Sequence, residues 1–494
     1  MTPVPAARVR AVNTGAIAPE REYVLYWMTS ARRATMNFAL DRAVAHARAL
    51  RRPLVVLEPL RAAYPWASDR LHTFVIQGMA DNARAFARRP VTYHPYLEPT
   101  PGAGRGLLKA LARRACVVVT DDFPAFFLPR MLRAAAAQVD VLLEAVDGNG
   151  LIPLRATDHA YPTAYAFRRF VHPRLAKEGA PMPAEDPLRG ARLPALAALP
   201  DDVVERWPAA TGLDDPAALV AALPIDHSVA AVPTFGGQRA ALRTLTAFLD
   251  RGFDAYERDR NDPDAAGASG LSPYLHFGHI GTHQVVAEVI ARGEWTPAMI
   301  ETSARGSRAG WGGGSAGAFL DQLITWRELG FNACAHDAAY AEYDSLPEWA
   351  LRTLDEHADD PREYLYTLDE FAGAATHDPV WNAAQRELRS TGHLHNYLRM
   401  LWGKKILEWT RSPREALAVM VELNNRYALD GRDPNSYSGI FWVLGRYDRA
   451  WGPERPVFGK IRFMSSANTL RKLDLTRYLE RFGGEDADAQ LSIG

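Results

Sequence analysis

Three tryptophans combine an oxidisable ring with a suggestive spacing: Trp381, Trp402 and Trp409, in the stretch WNAAQRELRSTGHLHNYLRMLWGKKILEW. Trp402 and Trp409 are seven residues apart, so on a helix they share one face about 10.5 Å apart along the axis. Indoles so placed are either core packing or a hopping chain that relays an electron between a buried redox group and solvent, and spacing alone does not choose between them. Downstream, LDGRDPNSY (429–437) sets Asp430 and Asp433 around a glycine and ahead of a proline. Such carboxylates either cap the amides of their own turn or hold a ribose hydroxyl or a ring nitrogen. LSPYLHFG (271–278) offers Ser272 as the cap of a following helix, read either as a plain capped helix or as one whose amides are free for a phosphate.

The whole chain is nearly neutral, with 57 Lys plus Arg against 58 Asp plus Glu in 494 residues and a net charge of −1, and this total alone gives no reason to expect nucleic acid. The local balance differs. From Trp381 to Lys472 there are 16 basic and 8 acidic residues, 16 − 8 = +8, with Trp381, Trp402, Trp409, Phe441, Trp442 and Trp451 among them. Aromatic rings interleaved with cations hold unstacked bases by stacking and phosphate contact, although a merely solvated basic face has the same composition.

The elements that must position these residues read as two kinds. Apolar runs at 23–27, 54–58, 91–94, 116–120 and 139–146 alternate with segments of helical period, which predicts a parallel sheet flanked by helices. No Gly-x-Gly-x-x-Gly follows the first run, so a dinucleotide on that sheet is not indicated. Residues 181–233 are dense in proline and alanine and read as a connection. After Gly236 the pattern is helical, at 237–255, 282–292, 316–331, 346–357, 381–390, 393–410 and 413–425, with GWGGGSAG (310–317) as a flexible surface loop. The expected division is an α/β domain at 20–150, a linker at 151–235 and a helical domain at 236–480. A composition of 48% hydrophobic and 23% charged residues suits a globular protein. Two cysteines, Cys116 and Cys334, are too few for a disulfide framework or a four-cysteine zinc site. With no apolar run of membrane-spanning length and no secretory signal pattern, the expectation is a cytoplasmic protein with no membrane, metal or obligate protein partner.

RNDP (260–263), LSPYLHFG, LITWREL (323–329), HDPVWNAAQ (377–385), LRMLWGKKILEW (398–409), LNNRY (423–427), LDGRDPNSY and ERPVFGKIRFM (454–464), in that order, together resemble the class II cyclobutane-pyrimidine-dimer DNA photolyases of the photolyase/cryptochrome family. The resemblance spans the whole chain. It implies an N-terminal Rossmann-like α/β domain of antenna type and an all-helical C-terminal domain that binds FAD and UV-damaged DNA. It further implies light-driven repair, in which reduced FAD donates an electron to a flipped-out dimer, with a possible second chromophore of the 8-hydroxy-deazaflavin type. Trp402, Trp381 and Trp409 match the flavin-proximal, middle and solvent-exposed members of the photoreduction relay, and Asn424 the asparagine facing flavin N5. Tyr256, Ser269, Gly270, Leu271, Ser272, Arg327, Arg399, Asp430 and Asp433 match cofactor-binding positions. Trp326 and Trp442 match the pair that brackets the dimer, Met400 lies against it, and Arg462 resembles the arginine that enters the duplex gap.

Two positions depart from the pattern. Gln322 stands where the family places a glutamate that hydrogen-bonds the dimer; it can donate an N–H but supplies no proton. Asn396 replaces a small residue. Gln322 leaves a (6-4) lesion preference open. The runner-up reading is a cryptochrome-like photoreceptor, against which stand Trp326, Trp442 and Arg462 and the lack of a long tail after Lys472. A flavoprotein oxidoreductase working in the dark is a third reading, without a recognisable hydride-donor site.

Overall fold

The structure, a computed structural model, describes residues 3–265, 267–303 and 310–484. Residues 485–494, on which the expectation about a tail partly rests, lie outside them. The chain forms two compact units, one from residues 1–158, 177–246 and 270–296, the other from 159–176, 247–269 and 297–494.

The first unit is built on a six-stranded sheet: β1 (Val9–Ala11), β2 (Tyr23–Trp27), β3 (Leu54–Leu60), β4 (Thr92–Leu97), β5 (Ala115–Asp121) and β6 (Leu143–Val146), in the order β1-β6-β5-β2-β3-β4. All pairings are parallel except β1 with β6. Every residue of β2 and β5 is buried, because helices cover both faces of a parallel sheet. Tyr23, Leu25, Trp27, Val55, Leu57 and Val118 pack with Leu107, Leu111 and Leu132. The alternate residues Val24, Tyr26, Leu54, Val56, Val117 and Val119 pack with Phe38, Leu40, Val44 and Phe86. This period of two gives each face its own core.

The connection expected at 151–235 is divided instead. Residues 177–246 belong to the sheet unit because its apolar residues are buried there: Leu199, Val203 and Trp207 in one core, Leu188 and Leu193 in the other. The Trp207 indole N–H donates to the Ala103 carbonyl (2.8 Å). Residues 270–296, expected in the helical domain, also belong to this unit, including the helix Thr282–Ala291.

In the second unit, four helices, Pro379–Thr391, Asn396–Trp409, Pro413–Tyr427 and Pro434–Val443, share one core. Three of the four starts follow local chemistry, the helix Asn396–Trp409 having no side-chain cap. Asp378, Ser412 and Asp433 accept the amides of Trp381, Glu415 and Asn435, each followed by a proline that has no N–H to satisfy. A further helix, Gly314–Leu320, runs into a π-helical turn, Asp321–Trp326, and then into the helix Arg327–His336. GWGGGSAG is a surface loop only in part: Gly312 to Gly314 are exposed, but the helix begins at Gly314, and Trp311 is fully buried and donates its indole N–H to Asp321 Oδ1 (3.2 Å) and Thr325 Oγ1 (3.1 Å), which ties the segment to the π turn.

Candidate functional site

A cavity of about 1070 Å³ opens in the helical unit. The π turn contributes Asp321, Gln322 and Trp326 to its wall; the helix Asn396–Trp409 contributes Asn396, Arg399 and Met400; the helix Pro434–Val443 contributes Ser436 and Trp442. The widened π turn explains the first set. Within Asp321–Trp326 only Gln322 and Trp326 escape full burial, and both face the cavity. Asp321 anchors the turn from below, receiving both arms of the Arg168 guanidinium (2.7 and 2.8 Å). Arg168 also lies 6.0 Å from the Trp326 ring centre. It was missed by sequence reasoning because it sits 153 residues from Asp321, in a stretch that reads as linker.

The segment after Val443 completes the wall with Asp448, Trp451 and Arg462. Arg462 is held by Asp448 through two bonds (2.8 and 3.0 Å), and its guanidinium lies 4.0 Å from the Trp451 ring centre and 5.4 Å from that of Trp442. Burial alone would raise the Asp448 carboxyl; its bonds to Arg462, the Arg449 amide and the Trp451 indole outweigh that and hold it below the usual carboxylate range. Asp448 carries no motif signal of its own in the sequence. Trp451 was visible there only as an aromatic among cations.

Of the segment's 16 basic residues, Lys404, Lys405, Arg432 and Arg446 are buried, and Arg399 and Arg462 are held by Asp430 and Asp448. At the cavity rim Arg455, Arg471 and Lys472 are exposed.

The three tryptophans form a continuous column. Trp402 and Trp381 stack with ring centres 6.4 Å apart and planes at 3°, and Trp381 meets Trp409 edge-on at 6.1 Å. The gap that helical spacing leaves between Trp402 and Trp409 is thus filled from the neighbouring helix by Trp381. The Trp402 indole N–H donates to Gln385 Oε1 (2.9 Å) and that of Trp381 to the Trp402 carbonyl (3.0 Å), which fixes both rings. Trp409 is not the exposed member the resemblance implies: it is 2% exposed. Tyr366, His377 and Lys405 cover it, at 5.6, 4.9 and 5.1 Å from its ring.

The remaining expected cofactor positions are distributed as follows. Asp430 pairs with Arg399 (3.0 Å), and buried Asn424 donates to Ser436 Oγ (2.8 Å) and Asn425 Oδ1 (3.1 Å). Asp433 serves as a helix cap. Arg327 is buried over Phe331, and Tyr256 lies behind the wall against Phe248 and Phe319, with Arg260 at 6.0 Å from its ring. Ser269 belongs to the helical unit and Gly270, Leu271 and Ser272 to the sheet unit. Ser272 does not cap its helix: Leu271 occupies the cap position and Ser272 is the first helical residue.

Whether these residues suit a flavin is tested by Gln385. It is fully buried, its carbonyl oxygen is used by Trp402, and its Nε2 has no partner among the described residues. An amide donor left open beside an oxidisable indole suits the carbonyl or ring nitrogen of a bound isoalloxazine. Among the described residues no cluster of ligating side chains could hold a metal, and no helix is long and apolar enough to cross a membrane.

No protein-family model matches the chain. It is 34% identical over 486 residues to the deoxyribodipyrimidine photo-lyase of Methanothermobacter thermautotrophicus, covering 97% of this chain and 98% of that one. It is 33% identical to the rice enzyme of the same name (96% and 90% covered) and 30% identical to that of Potorous tridactylus (97% and 85%). Its fold is similar to that of a class III photolyase from Agrobacterium tumefaciens (17% identity, 94% and 86% covered, TM-score 0.64) and of a cryptochrome from Synechocystis (14%, 93% and 88%, TM-score 0.63). An archaeal photolyase from Sulfolobus tokodaii, whose structure holds two FAD molecules, is similar as well (15%, 95% and 92%, TM-score 0.65). The chain belongs to the photolyase/cryptochrome family.

Proposed function

We propose that this family member is a class II-type photolyase that repairs cyclobutane pyrimidine dimers in DNA under light. The observation that carries this reading is the pair Trp326 and Trp442, both half-buried on the wall of one cavity together with Gln322 and Met400. A ligand seated between two indoles is a flat or fused ring system, and a dimer is reached only when it leaves the duplex stack. Arg455, Arg471 and Lys472 at the rim then meet phosphates, and Gln322 donates an N–H to a pyrimidine carbonyl.

Arg399, Asn424, Asp430 and Gln385 would hold a flavin beside Trp402. Bound and reduced, that cofactor supplies the light-excited electron. The chain's own residues do the rest: they bind and orient the dimer, and the column Trp402–Trp381–Trp409 carries an electron inward from the side of Tyr366 and His377. An antenna on the sheet unit, of the 8-hydroxy-deazaflavin type, remains part of the proposal. Asp121 Oδ2 accepts the amides of Thr29, Ser30 and Ala31 (2.7, 2.8 and 3.0 Å) after β2, so those amides offer such an antenna no phosphate site.

The test is binding in the dark. Trp326→Ala is expected to weaken affinity for dimer-containing duplex by about 1–3 kcal/mol while leaving affinity for undamaged duplex unchanged. Equal loss for both duplexes would remove Trp326 from the lesion site. Gln322 favours a second reading, a shifted lesion preference: repair of (6-4) products in place of dimers by the same protein would support it.

A further inference from the structure

We propose that Lys404 is the positioning residue of the lesion face: its ammonium closes the C-terminal end of the helix that presents Trp442 and holds that indole in the orientation that stacks on an extruded base. Lys404 is fully buried, and Nζ donates to the Val443 carbonyl at 2.6 Å. That carbonyl ends the helix Pro434–Val443, past the carbonyls of Phe441 and Trp442 that the following turn takes up, where the helix dipole is negative. The same Nζ lies 4.8 Å from the ring centre of Trp442. One cation therefore fixes both the helix end and the ring it displays. Gly403 makes the approach possible, since a Cβ there would lie 2.6 Å from Val443 Cγ2.

A methionine of similar length would fill this space without the cost of desolvating a charge. The position is sensitive to charge for that reason. Burial pushes the Lys404 ammonium down to about 7, Asp448 favours the charged form and Arg462 opposes it. Those two groups pair with each other, so their effects on Lys404 oppose and burial dominates. From the packed helix Pro413–Tyr427 the neutral Met420 comes against the neighbouring Gly403. As pH rises through about 7 the ammonium loses its proton. The amine still donates to Val443, but its attraction to the Trp442 face is lost.

This inference rests on the lesion-binding reading of Trp442. It is tested on the flavin-loaded protein in the dark, by measuring affinity for dimer-containing and undamaged duplex from pH 6 to 9 at fixed ionic strength. The preference of the natural chain for the dimer is expected to fall by roughly 2- to 30-fold across that range, the span of one cation–π contact. Lys404→Met is expected to show the low preference at every pH, and Lys404→Arg, always charged, the high one. A Lys404→Met chain that keeps the natural preference and profile, whether or not it melts earlier, overturns the inference and leaves the lesion-binding reading standing. Absence of any preference for the dimer at every pH overturns both.

Discussion

In the α/β unit, Asp121 receives three successive backbone amides and the Tyr26 hydroxyl, and Glu144 is gripped by Arg42 and His46. In the helical unit, Asp321 is gripped as firmly by Arg168 and Trp311, yet the next residue, Gln322, faces a cavity, as does Trp326 at the end of the same turn. Both units satisfy buried carboxylates with the chain's own donors. The sheet unit thereby closes on itself, with strands shielded on both faces. The helical unit uses the same chemistry to hold half-buried rings in place, so its rigidity serves a site.

The two units should differ most at the tryptophan column. Trp381→Phe is expected to abolish light-driven reduction of the bound flavin by an external reductant, followed as loss of oxidised-flavin absorption, while chemically reduced protein keeps its repair. If both vanish together, the column is packing and the helical unit resembles the sheet unit after all. Next is Asp321→Ala, which leaves Arg168 buried without its partner and is expected to cost about 3–5 kcal/mol of stability by denaturant titration, with loss of dimer preference. Retained preference would show that the π turn does not depend on its anchor.

The third prediction sharpens the contrast from the sheet side. Burial tends to raise the Glu144 carboxyl, but Arg42 and His46 outweigh it and bring it from 4.5 to about 2. Because the folded value is the lower one, the contribution is present above about pH 4.5 and is lost as pH falls towards 2. Glu144→Gln is expected to cost about 3 kcal/mol at neutral pH and progressively less in acid, with DNA affinity unchanged. Weakened DNA binding would place part of the site in the sheet unit.

The sheet was legible in the sequence because strands buried on both faces are continuous apolar runs, as YVLYW and CVVVT are. The strand β1 was not, since Val9–Ala11 has three residues and pairs at an edge. The packing of the connection was not legible, because prolines mark its irregular backbone but not the sheet cores that take in Leu188, Val203 and Trp207. In the site, Trp381, Trp402 and Trp409 were legible as a set, but the burial of Trp409 depends on Tyr366 and His377, far earlier in the chain. Arg168 and Asp448 act through side chains brought together only by the fold, and neither stands in a motif. The basic segment places Arg455, Arg471 and Lys472 exposed at the cavity rim, whereas its composition did not show that Lys404, Lys405, Arg432 and Arg446 are buried.

A pyrimidine dimer bound in the cavity lined by Trp326 and Trp442 and split by light is tested most directly by the loss of dimers from a defined duplex incubated with the reduced, flavin-loaded protein, illuminated or kept dark. Loss of dimers is expected in the light only, and none when Trp326 and Trp442 are both replaced by alanine. Tight flavin binding and normal photoreduction with no loss of dimers in the light would contradict it.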